Sequence, residues 1–164
     1  MGNVKITHFL LFETSFKIDK LKSIKRQPST NNYNMSFLSK LELDGNTYNI
    51  LECKYNFVQP IDTTGKPKGM PKGGEIIIRI ESTGNPELLS WMLDHSQVKN
   101  GKIVYYRRDA MSKLQELVFE KAFCVKFTEH FDSNNAEPLQ IEMHLVAKSF
   151  NVNGAHHEKF WTVK

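Results

Sequence analysis

The sequence has little cysteine and no long apolar stretch. Cys53 and Cys124 are the only cysteines, and they lie far apart without C-x-x-C spacing, so neither a disulfide framework nor a cysteine zinc site is indicated. No apolar run approaches the roughly 20 residues that a membrane-spanning helix needs. These absences exclude a disulfide-stapled domain and a helical membrane protein. We interpret both thiols as small buried side chains.

Recognisable catalytic and phosphate-binding motifs are also missing. The stretch Thr63–Ile80, TTGKPKGMPKGGEIIIRI, is rich in glycine and lysine but lacks the order G-x-x-x-x-G-K-[ST]. Pro67 and Pro71 remove amide donors that a phosphate cradle would use, and a strand-type isoleucine run follows instead of a helix. No G-x-S-x-G elbow occurs, and His156-His157 has no partner at zinc spacing. The sequence therefore predicts no enzyme, no cofactor and no metal.

The positive charge is confined to one part of the chain. The 164 residues carry a net charge of +4, and residues 1–34 hold six basic against two acidic residues, so the remainder is balanced. A basic segment attached to a neutral body is weak evidence for a nucleic-acid partner. Tyr105-Tyr106-Arg107-Arg108 is interpreted as the polar end of a hairpin and not as a base-stacking platform. We predict no nucleic-acid binding.

Residues 1–34 differ from the rest in composition. They begin with a short apolar patch, become basic and end in a Pro/Ser/Thr/Asn-rich stretch typical of a linker. His8 and Glu13 flank the patch and no small-residue cleavage site follows, so a cleaved signal peptide is not predicted. Two interpretations stay open: a flexible basic extension, or a segment upstream of a true start at Met35. The predicted domains are 1–34 and 35–164.

The body begins with a predicted hairpin. Apolar and polar residues alternate from Phe37 to Leu43, and Asp44-Gly45-Asn46 is a tight-turn signal before a second strand, 48–59. The apolar phase of that second strand changes near Ile50, which predicts a β-bulge.

The only helix signal follows an isoleucine strand. Asn85 is a candidate N-cap, Pro86 suits the first helical position, and Asn100-Gly101 is expected to close the segment. The apolar spacing predicts that one helix face packs into the core through Leu88, Leu89, Met92 and Leu93.

Three further strands are predicted after the helix, over 103–108, 114–131 and 139–150. In the middle run one apolar face is expected to contain Leu117, Phe119, Phe123, Val125, Phe127 and Phe131. In the last run the matching face is Leu139, Ile141, Met143, Leu145 and Ala147. Strands longer than about 10 residues bend around a barrel or extend into an assembly. The predicted fold is mainly β, a compact antiparallel β-barrel with one short α-helix.

An ordered set of short motifs carries a family resemblance. The motifs are Met35-Ser-Phe-Leu-Ser-Lys-Leu-Glu-Leu-Asp-Gly, Tyr48-Asn-Ile-Leu, the T-G-K-P-K-G loop, Gly73-Gly-Glu, Glu81-Ser-Thr-Gly84, Leu89-Ser-Trp-Met92, Arg108-Asp109 and the final stretch from Glu158 to Trp161. Together they resemble the type VI secretion tube protein, the haemolysin-coregulated protein family, in its Bacteroidetes branch. The resemblance covers about residues 35–164.

The resemblance implies a structural subunit and not an enzyme. Hexameric rings would stack as the inner tube of a contractile injection machine, working with sheath, spike and effector proteins and carrying effectors. The subunit would be cytoplasmic before firing and then secreted without a cleaved signal peptide. Within this picture we predict that Lys66, Lys68, Met70 and Lys72 form a ring-stacking loop. The alternatives are a phage-derived tail-tube subunit and a monomeric ligand-binding or hydrolytic β-barrel.

Overall fold

The computed structural model describes residues 37–108 and 112–161, which form eight strands and one helix. In chain order they are β1 Ser39–Leu43, β2 Asn46–Val58, β3 Lys72–Glu81, α1 Glu87–Leu93, β4 Lys99–Tyr106, β5 Lys113–Phe131, β6 Leu139–Val146, β7 Ser149–Val152 and β8 Ala155–Glu158. All strand pairs are antiparallel, in the order β4-β1-β2-β3-β6-β5, and β4 also pairs with β5. The sheet therefore closes on itself, which confirms the predicted mainly β barrel.

The first hairpin has the predicted turn. Asp44 and Gly45 both have positive φ, 49° and 82°. Two central residues with positive φ are what a two-residue type I′ connection requires, and this turn matches the twist of the flanking strands. The predicted bulge is also confirmed, because the β2–β3 register shifts between Ile50 and Glu52.

The barrel interior is filled by alternate side chains of its strands. Its fully covered members include Leu41, Ile76, Ile78, Ile80, Ile103, Leu117, Phe119, Met143 and Leu145. Burying a side chain of this size contributes roughly 1.5–3 kcal/mol. The barrel is therefore a packed core and not a container.

The long strand β5 changes face along its length, so one part of the predicted pattern is wrong. Lys121 has a φ of 49°, and Phe119 before it and Ala122 after it are both buried, although the pleat would place them on opposite faces. A second register shift lies between Cys124 and Lys126. These two irregularities leave Val125 47% exposed, where the sequence pattern placed it inside.

The helix buries fewer of its residues than the sequence predicted. Leu88 is buried and Met92 packs against the core, but Leu89 and Leu93 are 42% and 75% exposed. The prediction that Leu89 and Leu93 pack in the core is therefore wrong. Trp91, which the pattern left out, is fully buried and donates from its indole nitrogen to the Gln97 carbonyl at 3.1 Å. A helix of seven residues presents only one narrow stripe to the core.

The helix starts one residue later than the sequence predicted, and it ends earlier. Pro86, and not Asn85, occupies the N-cap position, and the Asn85 side-chain oxygen accepts from the Glu87 amide at 3.0 Å just before the helix. The helix ends at Leu93, and Asn100 and Gly101 lie inside strand β4. Their expected role as a helix stop is wrong.

A small hairpin continues the sheet beside β5. The predicted strand over 139–150 breaks at Ala147, and the chain returns as β7, which pairs with β5, and then β8. Asn153 and Gly154 connect them with φ values of 49° and 97°, a second turn with two positive φ angles. Phe150 of β7 is buried and stacks near Tyr55 and Phe57 of β2. This hairpin adds the Phe150 ring to the core.

Candidate assembly surfaces

The glycine- and lysine-rich stretch folds as an ordered hairpin, which we call the arm, residues 59–71. Backbone bonds cross it from Lys68 to the Pro60 carbonyl at 2.7 Å and from Asp62 to the Lys66 carbonyl at 2.9 Å. Ile61 and Pro67 form an isolated β-bridge. The arm therefore continues the β2–β3 hairpin with its own hydrogen bonds.

One carboxylate holds the tip of the arm. The Asp62 side chain accepts from the Thr64 hydroxyl at 2.7 Å and from the amides of Thr64 and Lys66 at 2.8 and 3.0 Å. These bonds lower the pKa of Asp62 below its ordinary value because they favour the charged form. The bond from the Thr64 hydroxyl makes the largest contribution. The motif D-x-T is an Asx-turn signal that sequence reasoning could have used here.

The predicted stacking residues are all at the surface. Lys66, Lys68 and Met70 lie on the arm, and Lys72 is the first residue of β3 directly below it. Met70 is 66% exposed and Ile61, across the arm, is 68% exposed. The arm thus presents ammonium groups together with apolar side chains that the described part of its subunit leaves largely exposed.

A surface pocket lies at the base of the arm. Its volume is about 400 Å³, and it opens between the start of β3 and the outer side of β8. Its lining residues are Met70, Pro71, Lys72, Gly73, Glu75, His157, Glu158, Lys159 and Phe160. Burial lowers the pKa of Lys159 at this place, since desolvation disfavours the charged amine.

The opposite end of the barrel is acidic. We define the acidic rim as residues 81–87, which lead into α1, and residues 129–138, which connect β5 to β6. The Ser82 amide donates to the Leu139 carbonyl at 3.0 Å, and the Ser82 hydroxyl donates to Glu129 at 2.9 Å, so the two segments lie side by side. The rim contains Glu81, Glu87, Glu129, Asp132 and Glu137, and no lysine or arginine.

Several charges on the barrel wall are paired within the chain. Glu52 lies 2.5 Å from Lys54 and 2.7 Å from Arg79, and Lys126 lies 3.0 Å from Glu142. The hydrogen bond from Lys54 and the two nearby positive charges lower the pKa of Glu52. Exposed pairs of this kind contribute little to stability because solvent screens them, so they make the wall neutral more than they stabilise it.

Exposed apolar side chains also lie on the barrel flank. Leu89 and Leu93 of α1 and Val125 and Phe131 of β5 are 42–75% exposed. Residues of β5 beyond Ala122 pair with β6 alone, so in the described part of the chain one edge of this segment has no strand partner. An open strand edge with apolar neighbours is a place where another chain can add.

The two thiols are free and neutral. Burial raises the pKa of Cys124 to about 11, and burial likewise raises the pKa of Cys53. Over residues 37–108 and 112–161, no group of three or more metal-ligating side chains comes together. In those same ranges no helix is long and apolar enough to span a membrane.

Comparisons with known proteins agree with this architecture. Residues 35–162 match the family described as hemolysin coregulated protein Hcp (TssD). Hcp1 from Flavobacterium johnsoniae is 34% identical, with a TM-score of 0.71 over 75% of this chain and 100% of that one. Hcp1 from Salmonella typhimurium, 10% identical, has a TM-score of 0.61 over 75% and 95% of the two chains, and that likeness shows the fold alone. No protein with a curated function matches.

The filled barrel, its arm and the family match define a structural subunit of the type VI secretion tube class. The chain belongs to the Hcp (TssD) family, and the match to a Flavobacterium protein agrees with the Bacteroidetes-type resemblance. The predicted domain boundary at Met35 stays a prediction, because residues 1–36 lie outside the described residues.

Proposed function

We propose that this chain forms hexameric rings that stack into the inner tube of a contractile type VI machine. The rings carry effectors in their lumen and leave the cell together with the spike when the sheath contracts. Before firing the subunit resides in the cytoplasm, and it is exported without a cleaved signal peptide. Its partners are further copies of itself and the sheath, spike and effector proteins.

The observation that carries this proposal is the distribution of apolar side chains. The barrel interior is filled by residues such as Ile78, Phe119 and Met143, all with no exposed surface, so it offers no internal site for a substrate. Large apolar side chains remain outside, on α1 and on β5. Such exposed patches mark protein contacts, which supports a working unit made of several copies.

The arm supports the stacking part of the proposal. Its tip is fixed by the Asp62 bonds, and its Met70 and lysines are exposed among the residues that the structure describes. A pre-ordered projection loses less conformational entropy when it binds than a mobile loop does. We therefore propose that Lys66, Lys68, Met70 and Lys72 contact the next ring.

Removal of the arm tests the proposal. We expect deletion of residues 66–72 to leave rings of normal mass but to shorten tubes in negative-stain electron microscopy and to reduce the subunit in culture supernatants. The matched control replaces Lys40 on β1 by alanine, which leaves both the arm and the exposed apolar patch intact. Unchanged tube length and unchanged secretion after the deletion would contradict the stacking role.

A further inference from the structure

The pocket at the base of the arm combines a half-buried amine with exposed apolar side chains. Lys159, the residue after β8, lines this pocket together with Met70 and Phe160. We propose that the pocket binds a small amphipathic carboxylate, which is a single carboxyl group on an apolar chain of about eight to ten carbons. This site goes beyond the proposed function, and its test does not depend on whether rings stack.

The Lys159 side chain lies against the start of β3, where Gly74 leaves room for it. Gly74 has a φ of 78°, and a Cβ placed on it would lie 3.3 Å from Cε and 3.6 Å from Nζ of Lys159. The Lys159 amide donates to the Lys148 carbonyl at 2.9 Å, which fixes the backbone that carries this side chain. The amine therefore has a defined position at the wall of the pocket.

The Lys159 amine lacks a counter-charge in direct contact. Among the residues that the structure describes, it takes part in no ion pair. Burial lowers the pKa of Lys159, since desolvation disfavours the charged form, and the charge of Glu75 only partly opposes this effect. A carboxylate bound in the pocket would supply the missing negative charge and accept a charge-assisted hydrogen bond. The amine thus favours an anionic head group.

The two acids that line the pocket lie close to basic side chains outside it. Glu158 lies 3.5 Å from the amine of Lys148, and Glu75 lies 3.5 Å from Nε2 of His144. Lys72, the other lysine of the pocket, forms no ion pair within the described part of the chain. The two lysines are therefore the charges left to meet a ligand, so an anion is favoured over a cation.

The apolar side of the pocket suits the chain of such a ligand. Met70 is 66% exposed and Phe160 is 87% exposed, and Pro71 lies beside them in the lining. A bound chain would remove this apolar surface from water, which favours binding. The pocket volume of about 400 Å³ lies in the range of roughly 300–1,000 Å³ that is usual for small-molecule sites. This size favours a small ligand over a folded partner.

Titration of the purified full chain with octanoate tests the proposal. In protein labelled with ¹³C-methyl methionine, we expect octanoate to shift the Met70 signal, with a dissociation constant on the order of 1 mM. The signal of Met143, which is fully buried in the core, should stay unchanged. Octanol has the same chain without the charge and should bind about tenfold more weakly or worse. Equal binding of octanol, or no shift at Met70, would overturn the proposal.

Variants separate the contribution of the charge from that of the chain contact. Lys159→Met keeps an apolar stem and should weaken octanoate binding about tenfold or more, whereas Lys159→Arg keeps the charge and should stay within about threefold. Phe160→Ser removes apolar contact and should weaken binding about threefold or more. The control Lys40→Met removes an equal charge from β1 and should leave the affinity unchanged. Equal affinity of the unmodified protein and Lys159→Met would overturn the proposal.

A peptide that ends in phenylalanine tests another source of the same chemistry. Its terminal carboxylate and ring resemble the ligand, but its polar backbone loses hydration at an apolar wall, so we expect weaker binding than for octanoate. Tighter binding of the peptide would overturn the small-molecule assignment. Octanoate binding by a chain that stays monomeric would keep this site and contradict the hexameric ring. Rings that bind no octanoate would do the reverse.

Discussion

Gly101 of β4 lies opposite Phe119 of β5, and the phenyl ring fills the space that a side chain at position 101 would need. A Cβ placed on Gly101 would lie 2.3 Å from Cζ of Phe119. The glycine therefore serves a packing role inside a strand and does not end a helix.

Substitution of Gly101 should destabilise the barrel. Gly101→Ala forces the Phe119 ring to shift in a packed core, which should cost about 1–3 kcal/mol of unfolding free energy. Urea denaturation of the isolated subunit measures it. Phe119→Leu in the Gly101→Ala background should recover part of the loss, whereas additive losses would contradict the contact as the cause.

The ion pair between Lys99 and Asp44 predicts unequal effects of removing either partner. The Lys99 side chain is only 8% exposed, and its amine lies 6.0 Å from the centre of the Trp91 ring. Asp44→Asn keeps the turn but leaves this largely buried cation unpaired, so we expect a loss of about 1–2 kcal/mol. Lys99→Met should cost less, because methionine fills the same space without a charge. If thermal denaturation showed a larger loss of stability for Lys99→Met than for Asp44→Asn, the unpaired buried charge would not be the cause of the loss.

Asp62 predicts a local effect on the arm. Asp62→Ala removes the acceptor for Thr64 and Lys66, so trypsin should cleave after Lys68 faster, while the melting temperature stays unchanged. Asp62→Asn should be intermediate. Because the pKa of Asp62 is lowered in the folded arm, this ordering is present above its ordinary pKa of 3.8 and is lost as the pH falls through the folded value. Equal cleavage rates in all three proteins would contradict the assignment.

Cys124 predicts a loss of stability at high pH. Burial raises its pKa from 9.0 to about 11, so the unfolded chain releases the thiol proton at lower pH than the folded one. The associated stability is present below pH 9.0 and declines as the pH rises towards 11. In urea titrations over this range Cys124→Ala should lose less stability than the unmodified protein. Parallel curves would mean that another group causes the decline.

The elements that the sequence predicted well are those set by local pattern. Ile76, Ile78 and Ile80 recur at every second position of β3, and Asp44-Gly45 has the residue types that positive φ demands, so both features could be predicted without tertiary knowledge. Leu89 and Leu93 fit a helical stripe, but only the position of the helix on the barrel decides which residues meet the core.

The errors arose where distant residues decide the structure. Gly101 has the usual signature of a helix end, and its real partner, Phe119, is brought near only by the β4–β5 pairing. At Lys121 the inward-facing side of β5 changes, and no local sequence motif marks this change. The acidic rim combines segments about 45 positions apart in the chain, which only strand pairing places side by side.

The mass of the purified protein, measured by size-exclusion chromatography with light scattering, tests the hexameric ring most directly. We expect a particle of six times the 19.0 kDa chain mass, which appears as a ring in negative-stain images. A folded species that remains at the mass of one chain at high protein concentration would contradict the claim that this protein works as a closed ring of copies.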